Sequence, residues 1–172
     1  MAADAKTVME LRERGLAKAA KKSGRAATDG AIGSYIHPGG KIGVLIEVNC
    51  ETDFVAKNPL FQDLVKDLSM QVAATSPAYV SREDVPGDIL EKERDIYRSQ
   101  MADQKKPAQV IDKIVEGKLE KFFSENCLLE QAFVKDGSGK TKVKDLVDQV
   151  NASTKEKILV RRFARFQIGG SG

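Results

Sequence analysis

The sequence predicts an α+β fold in which an antiparallel sheet packs with helices. The first indication is a pair of apolar segments, residues 31–37 and 41–50, separated by the turn residues Pro-Gly-Gly, which is typical of a β-hairpin. The second is a series of segments with apolar residues at helical spacing. The third is an alternating segment, residues 156–168, which predicts a further strand near the end of the chain.

The hairpin strand over residues 41–50 separates its side chains cleanly between two faces. Ile46, Val48 and Cys50 share one face, and polar residues occupy the other. One face of the predicted sheet is therefore expected to cover the core.

Residues 58–75 predict the clearest helix. Asn58 can cap the free N–H groups, and Pro59 suits the first turn. The apolar residues expected to face the core follow at intervals of three and four: Leu60, Phe61, Leu64, Val65, Leu68 and Val72.

Two further helices, residues 88–103 and 107–125, are predicted on either side of the sequence Asp-Gln-Lys-Lys-Pro-Ala. The first has only a thin apolar side and is expected to face solvent. The pair predicts a helical hairpin that projects from the core.

The remaining segments complete a prediction of about four strands and five helices. Residues 4–23 predict a helix that ends at Gly24, residues 127–136 a strand, and residues 141–150 a helix. In strand 156–168 the apolar residues alternate and Arg162 interrupts them; they are Ile158, Val160, Ala164, Phe166 and Ile168.

Composition restricts the classes of function. The 172 residues are 41% hydrophobic and 31% charged, and no apolar run approaches the roughly 20 residues of a membrane helix, so we expect a soluble intracellular protein without a secretory signal. Cys50 and Cys127 lack metal-ligand spacing and are expected to be reduced thiols. The net charge of +3 does not by itself indicate nucleic acid.

Catalytic motifs are not found. The sequence has no phosphate-binding loop of the GxxxxGK[ST] type, no GxGxxG, no GxSxG and no HExxH. Its only histidine, His37, precedes a turn. The sequence Gly-Ser-Gly-Lys at 137–140 is interpreted as an ordinary loop. We therefore expect no covalent chemistry, no cofactor and no metal.

The segment Glu-Thr-Asp-Phe-Val follows the second hairpin strand directly. In one interpretation Phe54 and Val55 start a short helix and pack into the core, with Thr52 or Asp53 as its N-cap. In the other, Phe54 is an aromatic wedge and Asp53 a polar probe, both presented to another protein. The residues alone do not decide between the two.

The sequence "VLIEVNCETDFVAKN" resembles the signature of translation elongation factor Ts, in its compact cyanobacterial, plastid and thermophile-like forms. The similarity extends to "KIVEGKLEKFFSENCLLEQAFVKD" and "VRRFARFQIG". It implies an exchange factor that promotes GDP release from elongation factor Tu, in its GDP-bound and nucleotide-free forms, in the bacterial cytoplasm or the plastid stroma. It also implies that Thr52, Asp53, Phe54 and Val55 disturb the magnesium site of that GTPase.

One part of the family pattern is not matched. The family opens with a ubiquitin-associated-like domain, and "MELRERGLAKAAKK" resembles only its last helix and the linker that follows. We therefore expect an N-terminal helix and linker over residues 1–25 and a core and dimerisation domain over residues 26–172.

Three hypotheses follow for function. The first is the exchange factor, with a homodimer formed through strand 156–168 and helix 141–150. The second is a truncated core that dimerises or binds elongation factor Tu as a scaffold without accelerating exchange. The third, an RNA-binding module using Arg161, Arg162 and Arg165, is weakest, because a half-buried strand explains those arginines more simply; direct nucleic-acid or membrane binding is not expected.

Overall fold

The computed structural model describes residues 26–101 and 107–170. The predicted helix at 4–23, and with it the predicted boundary between residues 1–25 and 26–172, lies outside the described residues. Three strands and five α-helices are found in the described ranges. In chain order they are β1 (Asp29–Ile36), β2 (Ile42–Cys50), α1 (Asp53–Ala56), α2 (Pro59–Thr75), α3 (Gly87–Gln100), α4 (Ala108–Asn126), α5 (Val143–Thr154) and β3 (Leu159–Gln167). The α+β prediction is confirmed.

The three strands form one antiparallel sheet in the order β1-β2-β3. The predicted hairpin is confirmed, with register pairs from Asp29 and Cys50 to Ile36 and Gly43. Its turn contains Gly39 and Gly40 at φ of 94° and 69°, a conformation that glycine adopts without steric penalty.

Helix α2 lies across the inner face of the sheet and supplies much of the core. Asn58 accepts a hydrogen bond from the Leu60 N–H at 2.9 Å, as a cap does, and Pro59 is the first helical residue. The helix approaches β1 so closely that a Cβ on Gly33 would lie 2.4 Å from Val65 Cγ1. Glycine at this position therefore lets helix and sheet meet.

Helices α3 and α4 form the predicted helical hairpin; their link, residues 102–106, lies outside the described residues. The ion pairs Arg94–Glu116 at 3.7 Å and Arg98–Asp112 at 3.6 Å show that the helices run antiparallel. Helix α3 buries none of its residues, as predicted. None of the described helices is long and apolar enough to span a bilayer.

The predicted strand over residues 127–136 is wrong. Cys127 makes one isolated bridge to Tyr79, and a single 3₁₀ turn follows over Leu128–Glu130. Leu128 and Gln131 are both buried, and their separation of three residues matches a 3₁₀ turn rather than the two-residue period of a strand. The sheet therefore has three strands in the described chain, not four.

Strand β3 is present, but its predicted alternation fails halfway along. A bulge places both Arg161 and Arg162 opposite Glu47, so that Val48 pairs with Val160. An extra residue inverts the faces of the rest of a strand. Phe163 and Arg165 consequently turn inward, and the later apolar residues of the predicted alternation are exposed: Ala164, Phe166 and Ile168.

Candidate functional site

The segment Thr52–Val55 forms a sharp corner between strand β2 and the short helix α1. Phe54 is 83% exposed, whereas Val55 and Ala56 are buried in the core. Successive helical residues point about 100° apart, so one turn anchors Val55 inward and presents Phe54 to solvent. The first interpretation, in which both residues pack into the core, is therefore right for Val55 and wrong for Phe54, which stands on the surface.

Thr52 is the N-cap of α1. Its hydroxyl oxygen accepts from the Val55 N–H at 3.4 Å, and the same hydroxyl donates to Glu156 Oε1 at 2.6 Å. Its N–H donates to Glu156 Oε2 at 3.1 Å. Its carbonyl accepts from the Ala56 N–H and from Cys50 Sγ, both at 3.1 Å. The corner is thus fixed from both sides by internal hydrogen bonds.

Asp53 lies next to Phe54 on the surface and pairs with Lys57, one turn further along, at 2.8 Å. The hydrogen bond and charge of Lys57 lower the pKa of Asp53 below its ordinary value, so this acid is ionised at neutral pH. Both side chains are exposed, and exposed pairs of this kind hold weakly. Asp53 can therefore exchange Lys57 for a group on another molecule.

Leu60 is a second exposed apolar residue, at the start of α2. Sequence reasoning placed it in the buried stripe, but it is 51% exposed. The signal was available, because Leu60 lies about 100° around the helix from the fully buried Phe61. Phe54 and Leu60 are thus two exposed apolar residues, six positions apart in the chain.

The Gly-Ser-Gly-Lys loop holds a carboxylate of its own. Asp136 accepts from the Ser138 N–H and hydroxyl at 2.9 and 2.7 Å and from the Thr141 N–H at 2.8 Å. These bonds lower the pKa of Asp136 far below its ordinary value. An internal anion thus occupies these donors, which explains why the sequence is a loop and not a phosphate site.

Neither cysteine is placed for chemistry. Cys50 and Cys127 are free, fully buried thiols, and burial raises the pKa of each to about 11. Within residues 26–101 and 107–170, His, Cys, Asp and Glu side chains form no group of three or more that could hold a metal ion.

The arginines of β3 are engaged within the chain. Arg161 and Arg162 lie 3.5 and 2.7 Å from the two carboxylate oxygens of Glu47, and they help to lower its pKa. Arg165 donates to the Ala73 carbonyl at 3.2 Å near the C-terminal end of α2. These contacts favour a structural role for the cluster over a polyanion groove.

The fold and site together define an α+β protein that presents a rigid acid–aromatic corner on its surface, and comparison with known proteins specifies the family. The family model described as Elongation factor TS matches residues 4–170. The chain is 57% identical to Elongation factor Ts of Caldanaerobacter subterraneus subsp. tengcongensis, over 95% of this chain and 81% of that protein. It is also 57% identical to Elongation factor Ts of Geobacter sulfurreducens, over 92% of this chain and 73% of that protein.

A third relative, Elongation factor Ts of Moorella thermoacetica, is 55% identical over 95% of this chain and 80% of that protein. Similarity of this extent and length shows family membership. The chain belongs to the translation elongation factor Ts family.

Proposed function

We propose that this protein is a guanine-nucleotide exchange factor that promotes GDP release from elongation factor Tu and carries out no covalent step itself. Family membership supports the partner, which binds in its GDP-bound and nucleotide-free forms in the bacterial cytoplasm or plastid stroma. The observation that carries the proposal is the 83% exposure of Phe54 on a corner that internal hydrogen bonds hold in place. A large aromatic side chain held in water without a partner is typical of an interface anchor.

The four residues Thr52, Asp53, Phe54 and Val55 have two roles, contact with the GTPase and anchoring of the corner. Phe54 enters the GTPase beside its magnesium site, and Asp53 offers a negative charge to the groups that hold the ion in place. Val55 and Thr52 anchor the corner from inside. Because Mg²⁺ is one of the largest local charges in such a site, displacing its surroundings weakens GDP binding strongly.

The mechanism is a coupling free energy between two ligands of one GTPase. An exchange factor that weakens GDP binding by some factor is itself bound more weakly by the GDP-loaded GTPase, by the same factor. The corner needs to be rigid, because a flexible segment would lose entropy on insertion and leave less free energy for displacing the ion.

The test is GDP release from elongation factor Tu, followed by stopped flow with a fluorescent GDP. Wild-type protein should accelerate release, and the combined variant Asp53→Ala, Phe54→Ala should lose that acceleration. Ile96→Ala removes an exposed apolar side chain from α3 and is the control. A release rate unchanged by the double substitution would defeat the wedge mechanism.

The scaffold alternative makes a different prediction from the same proteins. A protein that only binds would form a complex with elongation factor Tu, visible by size-exclusion chromatography, without faster GDP release. The exchange proposal requires both the complex and the faster GDP release.

We also propose that the protein forms a homodimer through the outer face of its sheet. Register pairing places Ile36, Gly43 and Phe166 side by side on that face, with Leu45 in the next row. Phe166 is 70% exposed, and Ile32, Ile36 and Leu45 are half or more exposed. An apolar face of this kind marks an interface, and two copies of one face can pair about a two-fold axis.

Helix α5, the other predicted dimer surface, contributes less. Val143 and Val147 are buried in the core of the same chain, beside α2. Sedimentation equilibrium at micromolar concentration should therefore show a dimer that Phe166→Lys dissociates and Phe54→Lys does not. A wild-type monomer at that concentration would refute the dimer.

A further inference from the structure

The carboxylate of Glu156 receives three hydrogen bonds from the base of the exposed corner. It accepts from the Glu51 N–H at 3.0 Å, the Thr52 N–H at 3.1 Å and the Thr52 hydroxyl at 2.6 Å. We propose that Glu156 is a positioning residue for exchange, which holds Asp53 and Phe54 in the geometry that enters the GTPase. The inference rests on the proposed function and assigns it a residue outside the signature segment.

The Glu156 side chain accepts backbone hydrogen bonds from the residues that follow β2, just beyond the point where the β2–β3 backbone pairing stops. The β2–β3 ladder ends at Asn49 and Leu159, and beyond it β2 turns toward α1. There two side chains replace the missing backbone acceptors: Glu156 binds the N–H groups of residues 51 and 52, and Glu51 accepts from the Lys157 N–H at 2.7 Å. Carboxylate acceptors make stronger hydrogen bonds than neutral carbonyls.

The contact explains why residue 52 carries a hydroxyl group. Asp and Asn cap helices as well as Thr or better, but at this position the oxygen that caps the helix must also donate to a carboxylate. A hydroxyl does both at once, since it carries one donor and two acceptor lone pairs. Because internal partners bind its N–H, hydroxyl and carbonyl, Thr52 orients its neighbours and leaves the contact with the partner to Asp53 and Phe54.

Glu156 is itself held by the end of helix α5. Lys155 adopts the left-handed conformation at φ 60°, which ends the helix, and the Glu156 N–H then donates to Thr154 Oγ1 at 3.4 Å. The carboxylate thus connects the surface corner to an element formed about a hundred residues later in the chain. Without it, the base of the corner would lose three of the hydrogen bonds that hold it.

The experiment measures GDP release from elongation factor Tu over a range of exchange-factor concentrations, with the full chain. A positioning defect lowers the maximal rate at saturation. A protein that is merely partly unfolded reaches the wild-type maximum at a higher total concentration. We expect Glu156→Ala to lower the maximal rate about tenfold, on the scale of one charge-assisted hydrogen bond, with a smaller change in half-saturating concentration.

Glu156→Gln preserves side-chain volume and one acceptor oxygen, and it should restore part of the maximal rate. It also carries the test if Glu156→Ala does not fold. Glu130→Gln is the matched control, because Glu130 is an ion-paired carboxylate outside the corner, with Arg82 at 3.0 Å. Hydrogen exchange should be faster at the amides of residues 51 and 52 in Glu156→Ala alone.

The results separate the two proposals. If wild type accelerates release, Phe54→Ala does not, and both Glu156 variants keep the wild-type maximum, the positioning role is overturned and the exchange function stands. If wild type itself fails to accelerate release, both are overturned.

Discussion

Phe54 and Val55 are adjacent in the chain but face opposite environments: Val55 contributes to the core, and Phe54 is the most exposed large hydrophobic residue among those described. One helical turn produces this division, since the backbone of α1 fixes both directions together. The segment therefore combines an internal anchor with an external contact, and substitutions at the two positions should separate stability from exchange.

Val55→Ala is expected to lower the free energy of unfolding by about 1–3 kcal/mol, because it removes buried methyl groups and leaves a cavity. Phe54→Ala should change it by less than about 0.5 kcal/mol, as expected for a surface site, while abolishing accelerated GDP release. Urea unfolding followed by circular dichroism measures the first effect. Equal destabilisation by the two substitutions would contradict the assignment of Phe54 to the surface.

The two thiols should be unreactive in the folded protein. Cys50 and Cys127 are fully buried with pKa values raised to about 11, so at pH 8 little thiolate forms and reagents have no access. We expect a chromogenic disulfide reagent to react with both cysteines quickly in guanidinium and very slowly in buffer. Ser138→Cys, on an exposed loop, is the positive control. Rapid reaction of the native wild type would show that the core opens.

The local elements were predictable because their signals lie within a few residues. Asn58 and Pro59 mark the start of α2, and the Pro-Gly-Gly turn fixes the hairpin register. Thr52 was recognised as a candidate cap for the same reason. The exposure of Phe54 was not decided by local pattern, because a short helix can direct either Phe54 or Val55 inward.

The errors arise where distant residues supply the partners. Gln131 is buried because Thr75 donates to it at 2.7 Å and Gln71 at 3.2 Å, and neither contact is visible from a pattern read as a strand. The contacts of Glu156 could not be predicted from the sequence, because its partners Glu51 and Thr52 are over a hundred residues away. The bulge at Arg161 likewise depends on pairing with Glu47 and not on the alternation within β3.

Stability should depend on Glu130 in a pH-dependent way. Arg82 at 3.0 Å and Lys142 at 3.2 Å lower its pKa in the folded protein. A lowered folded pKa stabilises the protein fully above the unfolded value of about 4.3, and the contribution is lost as the pH falls through the folded value. Glu130→Gln should therefore lower the free energy of unfolding by about 1–2 kcal/mol at pH 7 and by progressively less below pH 4.

Urea unfolding at pH 7, 5, 4 and 3 checks this expectation. Glu91→Gln, which removes an exposed carboxylate paired with Arg94, should have little effect at any of these values. If the difference in free energy of unfolding between wild type and Glu130→Gln stays constant down to pH 3, the Arg82 and Lys142 contacts do not lower the pKa of Glu130.

Lys155→Gly should stabilise the protein without affecting exchange. Lys155 ends helix α5 at φ 60°, in the left-handed region, where residues other than glycine incur steric strain. Glycine relieves that strain, about 1–2 kcal/mol, but adds freedom to the unfolded chain, about 0.4–1 kcal/mol. The free energy of unfolding is therefore expected to rise by about 0.5–1 kcal/mol. Because Glu156 and its contacts to residues 51 and 52 are retained, the maximal rate of GDP release should equal that of wild type.

Ser76→Gly tests the same effect at the end of α2, where φ is 48°, away from the exposed corner. Thermal unfolding of both variants measures the gain, and a loss of stability in Lys155→Gly would mean that the lysine side chain contributes more than its backbone strain removes.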